Sequence, residues 1–496
     1  MTTNRSDRVG HVEEAGVDYL PETERDSSPG NLFAVFLGSN LGWTVAVYGW
    51  VAVQLGLDFR GAVLSTVVGT LLGTIVLLPL ATVSPRTGTN MTVSSGAFFG
   101  IRGRLIGSGL SLVIAVVFAA LTVWTSGDAL VATGHRLVGL PDAPAMHAAA
   151  YAIVSALIVV VALFGHATIV AMQKFVVPIA GTAIVLGFVA FAAGFDPTRI
   201  AAHPALGGYA QTFVLSVVLA MAGPLSYAPV VGDYTRRISL RRHSARRVRW
   251  ALFGGLMIGM LLPSILGAFV GVAVQHSTGD FMGDLVGASP LWFVVLVLIV
   301  SVAGGFGQGV LNIYATGLDL ETFFPSLRRV HTTALAAAAS VVLLYVGVFV
   351  FNAIDSITAA TIILNGITAP WVVVILIGAL RTRAYDPDDL QAFAQRRHGG
   401  RYWFRAGWNV PAVVAWLAGS VFGVLSVDTT LYHGPLADVF GGVDPSALGS
   451  GIVTAIVYGG FVLLSPRSVD PAPDATAPAH SASVAPNAPV LEPPAS

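Results

Sequence analysis

The 496-residue chain contains no cysteine, which excludes a disulfide framework, a thiol nucleophile and a thiolate metal site. Charge is also scarce. Asp, Glu, Lys and Arg together make up 10% of residues, where a soluble domain carries about a quarter. The first thirty residues are polar and acidic (HVEEAGVDYLPETERDSSPG) and lack the basic start and apolar core of a cleaved signal peptide. Catalytic constellations are missing as well. The apolar runs hold one histidine, His166, close to an edge, and no cluster of His, Asp or Glu, so neither a membrane-embedded enzyme nor a metal or cofactor site is expected. Gly305-Phe306-Gly307-Gln308-Gly309 is no dinucleotide loop, because no strand precedes it.

What fills the chain is hydrocarbon: 55% apolar residues and a mean hydropathy of +0.76. Twelve runs are each long enough to cross a bilayer as a helix: 31–54, 61–83, 104–132, 148–166, 170–194, 209–233, 250–274, 290–317, 333–352, 356–380, 409–428 and 447–465. They are continuous rather than alternating, which predicts helices rather than barrel strands. With the N-terminus placed in the cytoplasm, 23 of the 26 Lys and Arg residues fall on the cytoplasmic side, leaving only Arg60, Arg136 and Arg199 outside. That bias predicts an all-α polytopic protein of the cell membrane with both termini inside. The seven arginines from Arg236 to Arg249 therefore read as a topology signal with some contact to anionic lipid, not as a nucleic-acid surface.

The expected organisation is a cytoplasmic tail (1–30), a transporter domain (31–466) and a Pro/Ala/Ser-rich tail (467–496) too poor in apolar residues to fold. In the loop 384–408, Asp386-Pro387-Asp388-Asp389 predicts an N-cap, a first-turn proline and the start of a short helix.

Two apolar runs carry helix breakers. The first holds Gly38-Ser39-Asn40-Leu41-Gly42. The sixth holds Gly223-Pro224 and then Pro229. A broken helix exposes peptide groups that cost several kcal/mol in hydrocarbon unless they line a cavity or are buried in protein. Small residues also serve plain helix packing. Two interruptions set five helices apart, however, match an inverted repeat of five plus five helices (31–194 and 209–380) with a substrate held between the breaks and two further helices (409–465) outside it. Broken helices suit channels too.

Around those breaks the polar side chains are neutral. Phe118 and Thr122 share a face of the third run. Gln308, Asn312 and Thr316 recur at four-residue steps on the eighth. Ser39, Asn40, Ser226 and Tyr227 sit at the breaks themselves. Such a set offers aromatic faces and amide donor–acceptor pairs to an uncharged, flat ligand. It would equally serve hydrogen bonds between helices. The acids at or near membrane depth are Asp128, Asp233, Asp319 and Glu321, candidates for coupling or gating; Asp233 could instead pair with Arg102 or Arg236. The oligomeric state is open.

Five segments, GVDYLPETERDSSPGNLF, SPRTGTNMTVSSGAFFGIRG, LSYAPVVGDYTRR, LNIY and APWVVVILIGALRTRAYD, resemble in order the signatures of the purine–cytosine permeases of nucleobase–cation symporter family one, nearer to the fungal-type branch and its bacterial relatives. The resemblance implies the leucine-transporter-like fold of ten core helices in two inverted repeats plus two more. It implies substrate contacts at Phe118 and Thr122, where an aromatic residue and an amide are usual, at Tyr227 in place of a Trp, and at Asn312. It also implies a coupling cation. The helix hydroxyls of sodium-coupled relatives fall here on Phe306 and Gly307, which have none, so a proton is expected. Cytosine and purines are the expected substrate class; allantoin, hydantoin, thiamine or a nucleoside remain alternatives.

Overall fold

The computed structural model describes residues 19–464 apart from 163–164, 201, 324–328, 352, 383, 394, 430 and 442. Both expected tails fall largely outside the described residues. Among the described residues there is no strand, only isolated bridges such as Ser27–Ile238. The helices that matter for the site are α1 (Pro29–Gly38), α2 (Trp43–Gln54), α3 (Phe59–Leu77), α4 (Arg104–Val138), α5 (Pro144–Ala162), α6 (Gly165–Phe191), α7 (Tyr209–Ser226), α8 (Val231–Thr235), α9 (Ala245–Ala273), α10 (Phe281–Ala288), α11 (Leu291–Phe323), α12 (Arg329–Phe349), α13 (Ala353–Arg381), α14 (Val410–Leu425) and α15 (Ser446–Leu464). Among the described residues ten helices are long and apolar enough to cross a membrane; α1 and α2 together make an eleventh, bent by 55° at its break, and α14 is a shorter apolar helix of 16 residues.

The helix pairing follows the exchange expected of two related five-helix sets. The first broken helix packs along α9, and its counterpart α7 packs along α3; α4 packs on α11, each the third helix of its set. These contacts need backbones at close range. A methyl on Gly267 of α9 would stand 1.8 Å from the Ala46 carbonyl oxygen of α2, and one on Gly69 of α3 would stand 2.3 Å from the Val217 oxygen of α7. Glycine at both positions lets two helices touch where any side chain would separate them.

One end of the bundle is sealed by loops. Leu20 N–H donates to Gly88 O at 2.8 Å, Ser27 N–H to Arg237 O at 3.0 Å, and the buried Arg25 guanidinium reaches Pro85 O at 2.8 Å. On the same loop layer the Phe99–Arg102 segment pairs by backbone with the stretch before α14: Arg102 N–H donates to Gly407 O at 2.8 Å and Asn409 N–H to Phe99 O at 2.8 Å. Gly100, at φ +92°, lies where a Cβ would come within 2.5 Å of Gly407 O. The helix at Pro387–Leu390 starts as expected, with Asp386 accepting from the Asp388 and Asp389 amides.

One boundary differs in a way that matters. The fourth span begins at Pro144 rather than near residue 148, and α4 runs on to Val138. Proline at the first helical position costs no hydrogen bond and extends α5 by a turn. That turn brings His147 into the span, beside α4.

Candidate functional site

The break in the first span replaces the lost helical bonds locally. Asn40 N–H turns to Leu37 O at 3.2 Å instead of Phe36 O, and its own Nδ2 donates to Phe36 O at 2.7 Å. Gly42 then opens α2 in an extended conformation, within van der Waals reach of Gly304 on α11. Gly38 is held tightly too: a methyl there would stand 2.2 Å from Oε1 of Gln173 on α6.

The second interruption lies later than the sequence suggests. Gly223 and Pro224 are inside α7, and the α-helical pattern stops at Tyr227–Val230, which includes Pro229. The physical reason is that Pro229 has no N–H for Leu225 O; Ala228 N–H takes that oxygen at 3.0 Å, and the Ser226 hydroxyl donates to Gly223 O at 2.7 Å. The chain passes through tight i→i+3 turns into α8. Residues 209–235 still form one span, without the sharp bend of the first. At both breaks side chains thus satisfy peptide groups that a ligand had been expected to meet.

Between the breaks lies a cavity of about 20 Å³, room for a single water. Asn40, Phe118, Ser226, Tyr227 and Gln308, all expected from sequence, line it, as does Gly223. Its wall carries no Asp, Glu, Lys, Arg or His. Ser39 stands just behind, its hydroxyl 3.4 Å from the Tyr227 phenol. Tyr227 OH donates to Asn40 Oδ1 at 3.2 Å, and its ring meets Phe36 edge-on at 5.0 Å. The two breaks are therefore tied through one phenol.

Besides Ser39, two more expected residues are not in the wall. Thr122 is buried, but its hydroxyl returns to Phe118 O on its own helix at 2.8 Å. Asn312 is one turn along α11 from Gln308; Thr316 donates to its backbone oxygen at 2.7 Å. The Asn312 Nδ2 atom is enclosed and has no hydrogen-bond partner, so the amide faces protein and not lipid. Sequence reasoning missed Tyr48 on α2, Thr66 and Thr70 on α3, and Met260 and Ser264 on α9. A signal for the threonines was present: Thr66, Thr70 and Thr74 recur every four residues and are all buried.

The acids divide into two groups. Asp233 on α8 and Asp319 on α11 are both buried and lie close enough to interact at the loop-sealed end, with Ser111 and Thr92 beside Asp319. Glu321 lies on α11, and its side chain is outside the described residues. Asp128 is elsewhere, on the far half of α4, where its carboxylate accepts from Tyr151 OH and lies 2.7 Å from His147 Nδ1. Among the described residues no group of three or more His, Asp or Glu could hold a metal ion. Phe306 and Gly307 offer no side-chain oxygen to a sodium ion, and Gly307 O already accepts from Gln173 Nε2 at 3.1 Å.

Residues 19–453 match the family described as permease for cytosine/purines, uracil, thiamine, allantoin. The chain belongs to this family. It is a multi-pass membrane permease and not an enzyme. Among curated relatives it is 24% identical to "Putative purine-cytosine permease YxlA" of Bacillus subtilis (strain 168), over 92% of this chain and 96% of that one. Among solved structures it is similar to Mhp1, a nucleobase–cation–symport-1 family transporter. The closed form with bromovinylhydantoin bound gives a TM-score of 0.67 at 17% identity over 92% of this chain and 94% of that one. The inward-facing form gives 0.68 at 15% over 93% and 96%. A Na+-coupled sialic acid symporter in a substrate-bound outward-open state follows at 0.58 and 12%, over 90% and 92%. These likenesses place the permease in the leucine-transporter-like fold of inverted repeats.

Proposed function

We propose that this permease is a secondary transporter that carries an uncharged, flat, nucleobase-like heterocycle into the cell together with a proton, by alternating access. The observation that carries the reading is the cavity between the two breaks, walled by aromatic rings, hydroxyls and amides and by no charged side chain. An amino acid, a phosphate or a cationic ligand such as thiamine would enter without a counter-charge, at a desolvation cost of several kcal/mol. A neutral ring can stack on Phe118 or Tyr227 and exchange hydrogen bonds with Asn40 and Gln308. The volume of about 20 Å³ is far below that of any such ring, so this conformation is the collapsed one and the wall must part on each side in turn.

Proton coupling is supported by what occupies the gap between the first break and α11. The Gln173 amide fills it: Nε2 donates to Gly307 O at 3.1 Å, and Oε1 lies where a methyl on Gly38 would stand 2.2 Å away. A hard cation needs several oxygen ligands, and Gly307 O is already taken by the Gln173 N–H. The positive-charge bias supports a cell-membrane orientation with both termini cytoplasmic. In that orientation the loop-sealed end lies inside and the Asp128 end of α4 outside.

A melting-temperature screen of the purified permease against cytosine, hypoxanthine, uracil, allantoin, a hydantoin and thiamine tests the substrate class, since a ligand that prefers the folded state raises the transition. A rise with a neutral nucleobase supports the reading. A rise only with thiamine, or with none of the neutral rings, overturns it.

A further inference from the structure

The outer half of the bundle holds a second, larger cavity, of about 350 Å³, lined in part by Trp124, Asp128, His147, Tyr151, Asp280 and Phe349. That volume falls in the range of ligand pockets, roughly 300–1,000 Å³, and is ample for water. Asp128 projects into it from a membrane span while only 6% exposed, a placement that membrane proteins rarely tolerate without a use.

The hydrogen bonds around Asp128 are specific. The His147 ring stands between two carboxylates, with Nδ1 2.7 Å from Asp128 Oδ1 and Nε2 2.9 Å from Asp142 Oδ1. A carboxylate oxygen only accepts, so both contacts are hydrogen bonds only when both ring nitrogens carry protons. With both acids ionised this geometry is that of the imidazolium, and loss of one proton releases the ring from one acid. Tyr151, one turn on, donates to the same Asp128 oxygen.

Other charged and titratable groups near Asp128 have partners of their own. Arg136, on α4 itself, is turned away, donating to the Val286 and Gly287 carbonyls. His135 contacts Leu140 O. Asp284 on α10 is held as an acceptor by Trp50, Ser277 and Thr278. Tyr345 on α12 donates to Ala148 O. Asp280, the N-cap of α10, accepts from Gly283 N–H at 2.6 Å, and burial together with the nearby Asp128 charge pushes its carboxyl up to about 6. The cavity thus gathers three carboxylates around one imidazole, which favours proton capture.

A path of shared walls leads from this cavity to the substrate site. Trp124 lines the outer cavity and also a small void with Thr44, Thr125 and Tyr48; Tyr48 in turn lines the cavity between the breaks. The Thr44 and Thr125 hydroxyls meet at 2.8 Å across that void, closing α2 on α4. Asp128 and Phe118 share α4, so a change in what holds Asp128 to α5 is transmitted by one rigid helix to the substrate wall.

We propose that the Asp128–His147 pair, with Tyr151 as its positioning residue, is the outer proton-loading site of the transport cycle. This rests on the proton-coupled reading above. The loaded pair ties α4 to α5 through His147 as well as Tyr151, and its unloading loosens that tie by removing the imidazolium charge facing Asp128.

The test uses the full-length permease in proteoliposomes, with radiolabelled cytosine or hypoxanthine, whichever the melting screen selects. An imposed gradient of one pH unit, acid outside, can sustain about tenfold accumulation of a neutral substrate per proton. The wild type is expected to approach that value. Asp128→Asn and His147→Gln are expected to lose accumulation while keeping counterflow exchange, which needs no net proton movement, and Tyr151→Phe to shift the pH profile of uptake with exchange retained. His147→Gln changes a partly exposed side chain and keeps the test open should Asp128→Asn fail to fold. Wild-type accumulation by folded His147→Gln and Tyr151→Phe overturns the assignment of this pair. A wild type that answers only to sodium overturns the coupling reading instead, and the two failures are distinct.

Discussion

The phenol of Tyr227 donates to Asn40 Oδ1 at 3.2 Å, which joins the break in the sixth span to the break in the first. The same phenol lies 3.4 Å from Ser39 Oγ, and the Tyr227 ring packs edge-on against Phe36. Side chains whose hydrogen bonds compensate for two interrupted helices therefore also form the wall of the cavity between them. Binding and unwinding are coupled because a ligand that hydrogen-bonds Asn40 or Tyr227 competes with the contact that ties the breaks together.

Tyr227→Phe keeps the ring and removes the tie. The buried Asn40 oxygen then loses a donor, and the cost is about 1 kcal/mol in stability. We expect a lower melting temperature and weaker binding of the selected nucleobase, read as a smaller ligand-induced rise in the same assay. An unchanged ligand response would place the phenol outside the binding contacts.

The amide of Asn312 is enclosed with an unused donor one turn from Gln308. Asn312→Ala should abolish uptake while leaving the protein inserted and folded, since no intramolecular hydrogen bond of that donor is lost. Wild-type uptake by this variant would remove Asn312 from the transport site.

Gly267 lets α9 meet α2 at the Ala46 carbonyl. Gly267→Ala inserts a methyl where only 1.8 Å is free, so the two helices must separate. A loss of roughly 1–3 kcal/mol is expected, seen as a fall in melting temperature, with overpacking as the cause. Gly459 on α15, where a Cβ would meet nothing within 4 Å, provides the control: Gly459→Ala should leave the melting temperature near that of the wild type.

Asp280 predicts a pH dependence with a definite sign. Its carboxyl is pushed up from 3.8 to about 6, first by burial and then by Asp128, so the folded protein binds this proton more tightly than the unfolded chain. The resulting stabilisation is complete below about 4 and is lost as pH rises through about 6. Melting temperature measured from pH 4 to 7 should fall less steeply in Asp280→Asn than in the wild type. Equal slopes would contradict the account of this side chain.

Much of the fold was legible because a bilayer imposes simple rules. Runs of about twenty apolar residues mark spans, and glycine and proline clusters mark interruptions, so the broken first span at Gly38–Gly42 could be read directly. The exact place of the second break could not. Pro224 is accommodated inside α7, whereas Pro229 ends the α-helical pattern, and only the partners available to the freed carbonyls decide between them. Five cavity residues followed from four-residue spacing and from the breaks, but Thr122 has the right spacing and spends its hydroxyl on its own helix. The wall from α3 and α9 was missed since pairing between distant helices is not written in local periodicity. His147 was hidden by one turn: an N-terminal proline lengthened α5 and carried the imidazole to Asp128.

The central proposal is that an uncharged heterocycle crosses together with a proton rather than a sodium ion. Uptake of the selected nucleobase into proteoliposomes, measured once with a pH gradient in sodium-free buffer and once with a sodium gradient at uniform pH, tests it most directly. Accumulation under the pH gradient alone is the predicted result. Accumulation under the sodium gradient alone would contradict it.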